Sequence, residues 1–334
     1  MKHSNISIFV PHIGCPHLCA FCDQRTISGE DKAPKPDDVR RICAAALDEI
    51  KHPENTEIAF FGGSFTAIRR DYMVALLEVA NEFVGEGKFS GIRLSTRPDY
   101  IDDEVLSILK HYNVTAIELG AQSLDDEVLL ANERGHSVHD VLAASELIKS
   151  YDIELGLQMM VGLYKSSYEK ELATMRRIID IHPTTVRIYP VVILGNTKLG
   201  GLYKSGEYKT MAFDEVVDLC ADMLDEFDNA GIKVIKCGLH ASEFVERDMV
   251  GGFYHPAFRE LCEAISYRKA FEREIANSGI TSGHAEFAVP QKALSKALGQ
   301  KKSNKEYFKN RGIELIITPV KELDEKYQVI NIWQ

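Results

Sequence analysis

Short apolar runs recur along the first two-thirds of the chain, at 6–10, 57–61, 91–95, 114–119, 153–160 and 185–189. The gaps between them carry helical spacing instead. In the first gap Val39, Ile42, Cys43, Ala46, Leu47 and Ile50 follow at steps of three and four, with Asp37 or Asp38 available as a cap. Cys43 therefore reads as a core residue. The segments 71–83, 138–151 and 168–181 repeat this rhythm. Strand and helix in alternation predict βα units and a parallel sheet, six units over roughly residues 1 to 195, with a candidate seventh strand at 232–237.

Between Gly195 and Thr210 the chain becomes rich in Gly and Lys, and a helix at 214–227 returns to the scaffold. From Gly251 the βα rhythm stops. A helix near 258–276, a Gly-rich turn, a basic segment and two strand-like stretches at 313–319 and 327–333 follow. The expected division is 1–250, an α/β domain, and 251–334, a smaller α+β domain.

Composition sets limits rather than adding elements. With 334 residues, 45% hydrophobic and 27% charged, the chain can bury a full core and fits neither disorder nor a repeat array. No stretch reaches membrane-spanning length, and the opening apolar run is too short for a signal peptide, so no membrane association is expected. A formal net charge of -11 argues against polyanion binding by the whole surface. The excess is uneven, however: residues 251–334 carry 13 Lys/Arg against 10 Asp/Glu. Of the seven cysteines, three crowd into eight positions, which points to a metal in a reducing, cytoplasmic compartment rather than to disulfides.

Those three, Cys15, Cys19 and Cys22, stand in CxxxCxxC spacing in the loop after the first strand. Three thiolates there could hold an iron–sulfur cluster with one iron left open for a ligand. The same residues with His12 or His17 could instead close a tetrahedral zinc site.

The run Cys15-Pro16-His17-Leu18-Cys19-Ala20-Phe21-Cys22 resembles the cluster loop of the radical S-adenosylmethionine (SAM) superfamily. Further collinear stretches, Leu94-Ser95-Thr96-Arg97-Pro98-Asp99, Glu118-Leu119-Gly120-Ala121-Gln122-Ser123, Asn132-Glu133-Arg134-Gly135-His136 and Gln158-Met159-Met160, resemble the Elongator catalytic subunit and, more distantly, oxygen-independent coproporphyrinogen oxidase. The likeness covers roughly residues 5 to 225. It implies a partial (β/α)6 barrel of radical SAM type and a 4Fe-4S cluster on Cys15, Cys19 and Cys22, with SAM bound at the open iron. It also implies an external one-electron donor, and cleavage of SAM to a 5'-deoxyadenosyl radical that abstracts hydrogen from a substrate.

Carried over position by position, Phe21 would lie beside the adenine. Gly62, Gly63 and Ser64 would receive the SAM ammonium, Gln122 and Gln158 its ribose or methionine portion, and Arg134 its carboxylate. Ser95 stands where such enzymes commonly have an acidic residue, so its contact with the cofactor is expected to be weaker or rearranged, with Glu118 a possible substitute. Tyr189, Lys198 and Lys204 lie where substrate should face the barrel, and Lys204 with Lys209 could meet a phosphate.

The Elongator likeness implies a tRNA wobble-uridine substrate. That family adds an acetyl-CoA-binding acetyltransferase domain for which this chain has no room, so carboxymethyl-type chemistry is not expected. Lysines 292, 296, 301, 302, 305 and 309 with Arg311, interrupted by Tyr307 and Phe308, mark 291–311 as either an RNA contact or a solvated face. Cys237, His240, His255, Cys262, His284 and Glu286 have the residue types for an auxiliary metal site but not the spacing. Two alternatives stand beside RNA modification: a radical SAM enzyme acting on a small metabolite, and a noncatalytic metal-stabilised RNA-binding module.

Overall fold

The structure is a computed structural model and describes residues 4–10, 15, 18–23, 26, 32–240 and 242–334. His12 and His17, the nitrogen ligands of the zinc alternative, lie outside the described residues, as does Pro16 of the cysteine motif.

The strands in chain order are β1 (Ser4–Val10), β2 (Thr56–Gly62), β3 (Gly91–Thr96), β4 (Val114–Gln122), β5 (Glu154–Val161), β6 (Thr185–Pro190), β7 (Val192–Leu194), β8 (Lys233–Cys237) and β9 (Met249–Gly252). One sheet has the order β1-β2-β3-β4-β5-β6-β8, and each pair from β1 to β6 is parallel. Parallel neighbours need a crossover. The helices α1 (Pro36–Glu49), α2 (Arg70–Asn81), α3 (Asp103–His111), α4 (Asp126–Ala131), α5 (Val138–Ser150) and α6 (Tyr168–Ile181) supply it. The result is a curled half-barrel. Local chemistry starts these helices where the sequence signals do: Asp102 caps α3 by accepting from Val105 N, and Ser137 with Asp140 forms a capping box on α5.

Strands covered on both faces must be apolar throughout, and Ile58, Ala59 and Phe60 of β2 are wholly buried. Cys43 is equally buried on α1, and burial pushes its thiol up to about 12, as suits a core residue. The Gly- and Lys-rich connection is not all loop. It holds α7 (Lys198–Lys204), capped by Thr197, while β7 pairs antiparallel with β9.

Packing divides the chain into two compact units, one of Met1–Thr210, Ile232–Lys236 and His240–Tyr254, the other of Met211–Gly231, Cys237–Leu239 and His255–Gln334. The second unit contains α8 (Phe213–Asn229). Helix α9 (Glu243–Asp248) belongs to the first unit, and α10 (Phe258–Ser278) to the second. Lys269 of α10 reaches Asp218 (2.8 Å) and Asp222 (2.6 Å) of α8.

The second unit's three-stranded sheet places β10 (Gly283–Pro290) at the centre, parallel to β11 (Ile313–Val320) and antiparallel to β12 (Gln328–Trp333). The expected Gly-rich turn thus begins the central strand. Ala285, Phe287 and Val289 alternate inward, and the rings of Phe271 and Phe287 stack at 4.2 Å in the core. The short helices α11 (Leu294–Leu298) and α12 (Ser303–Lys309) cover that core with Ala297 and Phe308. No helix among the described residues is long and apolar enough to cross a membrane.

Candidate active site

Gly62, Ser95 and Gln122 lie at or near the C-terminal ends of β2, β3 and β4, with Gly63 and Ser64 just beyond β2 and Phe21 in the segment after β1, on the side where barrel chemistry is usually housed; Gln158 sits within β5 and Arg134 follows α4. Cys15, Cys19 and Cys22 follow β1 as half-buried free thiols. Burial raises the pKa of Cys22, and the neighbouring Cys19 and Cys15 raise it further, so the three sulfurs sense one another's charge. Burial likewise raises Cys15, opposed by a hydrogen bond with Ser64.

Ser64, 2% exposed, thereby ties the turn after β2 to the thiol loop. That turn needs glycine. Gly62 has φ +109°, and a Cβ there would stand 2.9 Å from the Val10 carbonyl oxygen. Gly63 N donates to the same oxygen at 2.8 Å.

Arg134 is 7% exposed and is no solvated helix charge. Its Nη1 donates to Cys19 Sγ at 3.0 Å and its Nη2 to the Gly120 carbonyl at 2.7 Å, while the guanidinium lies 6.0 Å from the centre of the Phe21 ring. The buried Nε of Arg134 has no acceptor among the described residues. Asn132, wholly buried, holds the loop from behind: its carbonyl accepts from Ala20 N (3.1 Å), and its side-chain amide donates to the carbonyls of Val128 (2.8 Å) and Tyr164 (2.9 Å).

Gln122 ends β4 with φ +65°, where the register against β5 shifts between Leu119 and Gln122. This irregularity re-aims the strand end, a role bulges commonly serve beside active sites. Gln158 projects from β5, its Nε2 donating to Ser95 Oγ (3.1 Å) and to Glu118 Oε2 (2.8 Å).

Arg97 and His136, which the sequence presents only within longer motifs, lie among the same groups. Arg97, 3% exposed, grips Asp99 through two 2.9 Å hydrogen bonds, and its charge reaches Cys19 and Cys15. Its Nη1 is buried without a partner among the described residues. His136 lies close by. Burial, reinforced by Arg134, lowers its pKa to about 4, so the neutral ring donates from Nε2 to the Ala121 carbonyl and leaves Nδ1 a buried acceptor without a partner among the described residues. The sequence signal for Arg97 was a polar residue just past the end of β3; His136, between α4 and α5, carried none of its own.

The candidate substrate-facing residues are engaged locally. Tyr189 accepts from Arg187 (3.5 Å), Lys198 pairs with Glu133, and Lys204 donates to the Gly195 carbonyl (3.1 Å). The auxiliary metal set is not assembled. His284 pairs with Glu314 and stacks on Trp333, while Glu286 accepts from Thr318. The buried thiols of Cys237 and Cys262 instead hydrogen-bond one another and Cys220.

No group of three or more His, Cys, Asp or Glu among the described residues is arranged to hold a metal ion as it stands. The donor chemistry of the thiol loop nevertheless fits an iron–sulfur cluster. It offers three thiols, one of them already hydrogen-bonded by a guanidinium, a glycine turn that tolerates no Cβ, and buried donors without partners among the described residues.

Comparison with known proteins agrees with this geometry. The sequence profile of the Radical SAM superfamily matches residues 9–178, and that of the Radical_SAM C-terminal domain residues 183–269. A tRNA uridine(34) acetyltransferase of Methanocaldococcus infernus is 26% identical over 194 residues, 52% of this chain and 36% of its own length. Elongator complex protein 3 of Saccharomyces cerevisiae is 28% identical over 199 residues, 53% of this chain and 36% of its own. The chain thus spans little more than a third of the length of these relatives. Among solved structures, the archaeal Elp3 of M. infernus superposes with a TM-score of 0.54 at 22% identity, covering 74% of this chain and 62% of that one. Coproporphyrinogen III oxidase of Escherichia coli gives 0.51 at 16%, covering 69% and 53%; both likenesses are of fold.

Proposed function

The chain belongs to the radical SAM superfamily, and from that premise we propose that it is a tRNA-modifying enzyme that holds a 4Fe-4S cluster on Cys15, Cys19 and Cys22 and binds SAM beside it. When bound, the cluster supplies the electron that splits the SAM sulfonium and yields a 5'-deoxyadenosyl radical for hydrogen abstraction. The protein's own residues bind and orient. Arg134 would neutralise charge at Cys19, the turn at Gly62, Gly63 and Ser64 would receive the cofactor's ammonium, and Gln122, Gln158 and Ser95 would line the rest of its contact surface. Phe21 would lie against the adenine. Burial of these polar groups excludes water from the place where a radical must survive.

The observation that carries the reading is the convergence of Arg134, Ser64 and the three thiols at one end of the parallel sheet. A tRNA substrate is supported by the relatives named as acting on tRNA uridine and by the basic stretch 291–311. In that stretch Ala293, Ala297, Asn304 and Phe308 point into the core and leave Lys292, Lys301, Lys302, Lys309 and Arg311 exposed.

Anaerobic reconstitution with iron and sulfide, followed by reduction in the presence of SAM, should release 5'-deoxyadenosine. One zinc per chain and no sulfide would support the metal-stabilised binding module instead. Nucleoside mass spectrometry of RNA from cells with and without the gene should reveal one missing modified base. An unchanged nucleoside profile would favour a small-metabolite substrate.

A further inference from the structure

The inner wall of the half-barrel carries an unusual buried carboxylate. Glu118 of β4 is 1% exposed and takes hydrogen bonds from Arg187 Nη2 (2.8 Å) and Gln158 Nε2 (2.8 Å). Room for it is built in: its direct neighbour on β5 is Gly156, where a Cβ would stand 2.9 Å from the Glu118 Cγ. Its direct neighbour on β3 is Ser95.

Gln158 has two amide hydrogens and two acceptors for them, Glu118 Oε2 and Ser95 Oγ. The carboxylate settles which way the amide faces, because the opposite orientation would set the Gln158 oxygen against Glu118. Its carbonyl oxygen is then left to accept, and the Ser95 hydroxyl, having accepted, is left to donate. A donor on β3 and an acceptor on β5 therefore stand side by side, as vicinal hydroxyls require.

We infer that Glu118 is a positioning residue for SAM. By holding the Gln158 amide in one orientation it gives the cofactor an acceptor at β5. The inference rests on the radical SAM reading above.

The test is a double-mutant cycle on the reconstituted holoenzyme. It reads the SAM dissociation constant by calorimetry and the SAM-induced change in the electron paramagnetic resonance spectrum of the reduced cluster. Glu118→Gln and Gln158→Ala should each weaken SAM binding about tenfold, and the double variant no more than the worse single one, because the effect of Glu118 passes through Gln158. Additive losses, or wild-type affinity in Glu118→Gln, would overturn the inference. Should Glu118→Gln fail to fold, Gln158→Glu carries the test. It keeps an outward oxygen but turns another toward Glu118, so it should bind SAM at least tenfold more weakly, and wild-type affinity would count against the idea. If wild-type holoenzyme binds no SAM, the enzyme-class reading fails; if only the coupling is missing, that reading stands.

Discussion

Arg134 donates from Nη1 to Cys19 Sγ across 3.0 Å, so a cation already rests on a thiol that is expected to carry iron. A positive charge beside an anionic cluster favours the reduced form. Arg134→Gln should therefore lower the cluster's midpoint potential by on the order of 60 mV, the one-electron equivalent of a tenfold stabilisation. A redox titration followed by paramagnetic resonance reads this directly, and an unshifted potential would show that the guanidinium does not act on the bound cluster.

Gly62→Ala forces a side chain into φ +109° and 2.9 Å from a backbone oxygen. The expected cost is about 1–3 kcal/mol, seen as a lower melting temperature, together with reduced iron content because the turn carries Ser64 against Cys15. A melting curve that matches wild type would mean the turn relaxes freely.

Glu171, fully buried on α6, accepts from Gly162 N and Ser166 Oγ, each at 2.7 Å, and burial raises its pKa from 4.5 to about 7. Between those values the unfolded chain has released the proton while the folded one keeps it. Stability should fall as pH rises through that window and level off above about 7, by at most on the order of 3 kcal/mol. Glu171→Gln should flatten the dependence in melts at about pH 5 and about pH 8; an unaltered slope assigns it to other groups.

Lys301 and Lys302 are exposed, with φ +53° and +64°. If they contact phosphate, replacing both by Ala should leave folding stability within about 0.5 kcal/mol while reducing the salt dependence of tRNA binding by about 1.4 logarithmic units per decade of salt. An unchanged slope would mark the stretch as a solvated face.

The parallel half of the fold was legible because strands buried on both faces must be apolar runs, as at Ile58 to Phe60, and because helical steps such as Val39 to Cys43 cannot serve a strand. The cysteine loop was legible because its three thiols are local in sequence. Strand β10 was hidden by its glycine start and by the polar His284 and Glu286 beside its core positions Ala285, Phe287 and Val289. The contacts of Glu118 with Gln158 and Arg187 were harder still. They span 40 and 69 positions, and only strand register makes these residues neighbours. Cys220 joins Cys237 and Cys262 for the same reason, through packing that no spacing announces.

Asn132 binds three stretches of backbone at once, those of Ala20, Val128 and Tyr164. The peptide that presents the sulfurs, the end of α4 and the segment after β5 are consequently coupled mechanically. Displacing any one of them ruptures a shielded polar contact costing about 1–3 kcal/mol, so the trio resists thermal wobble together and responds jointly when a molecule presses on any member.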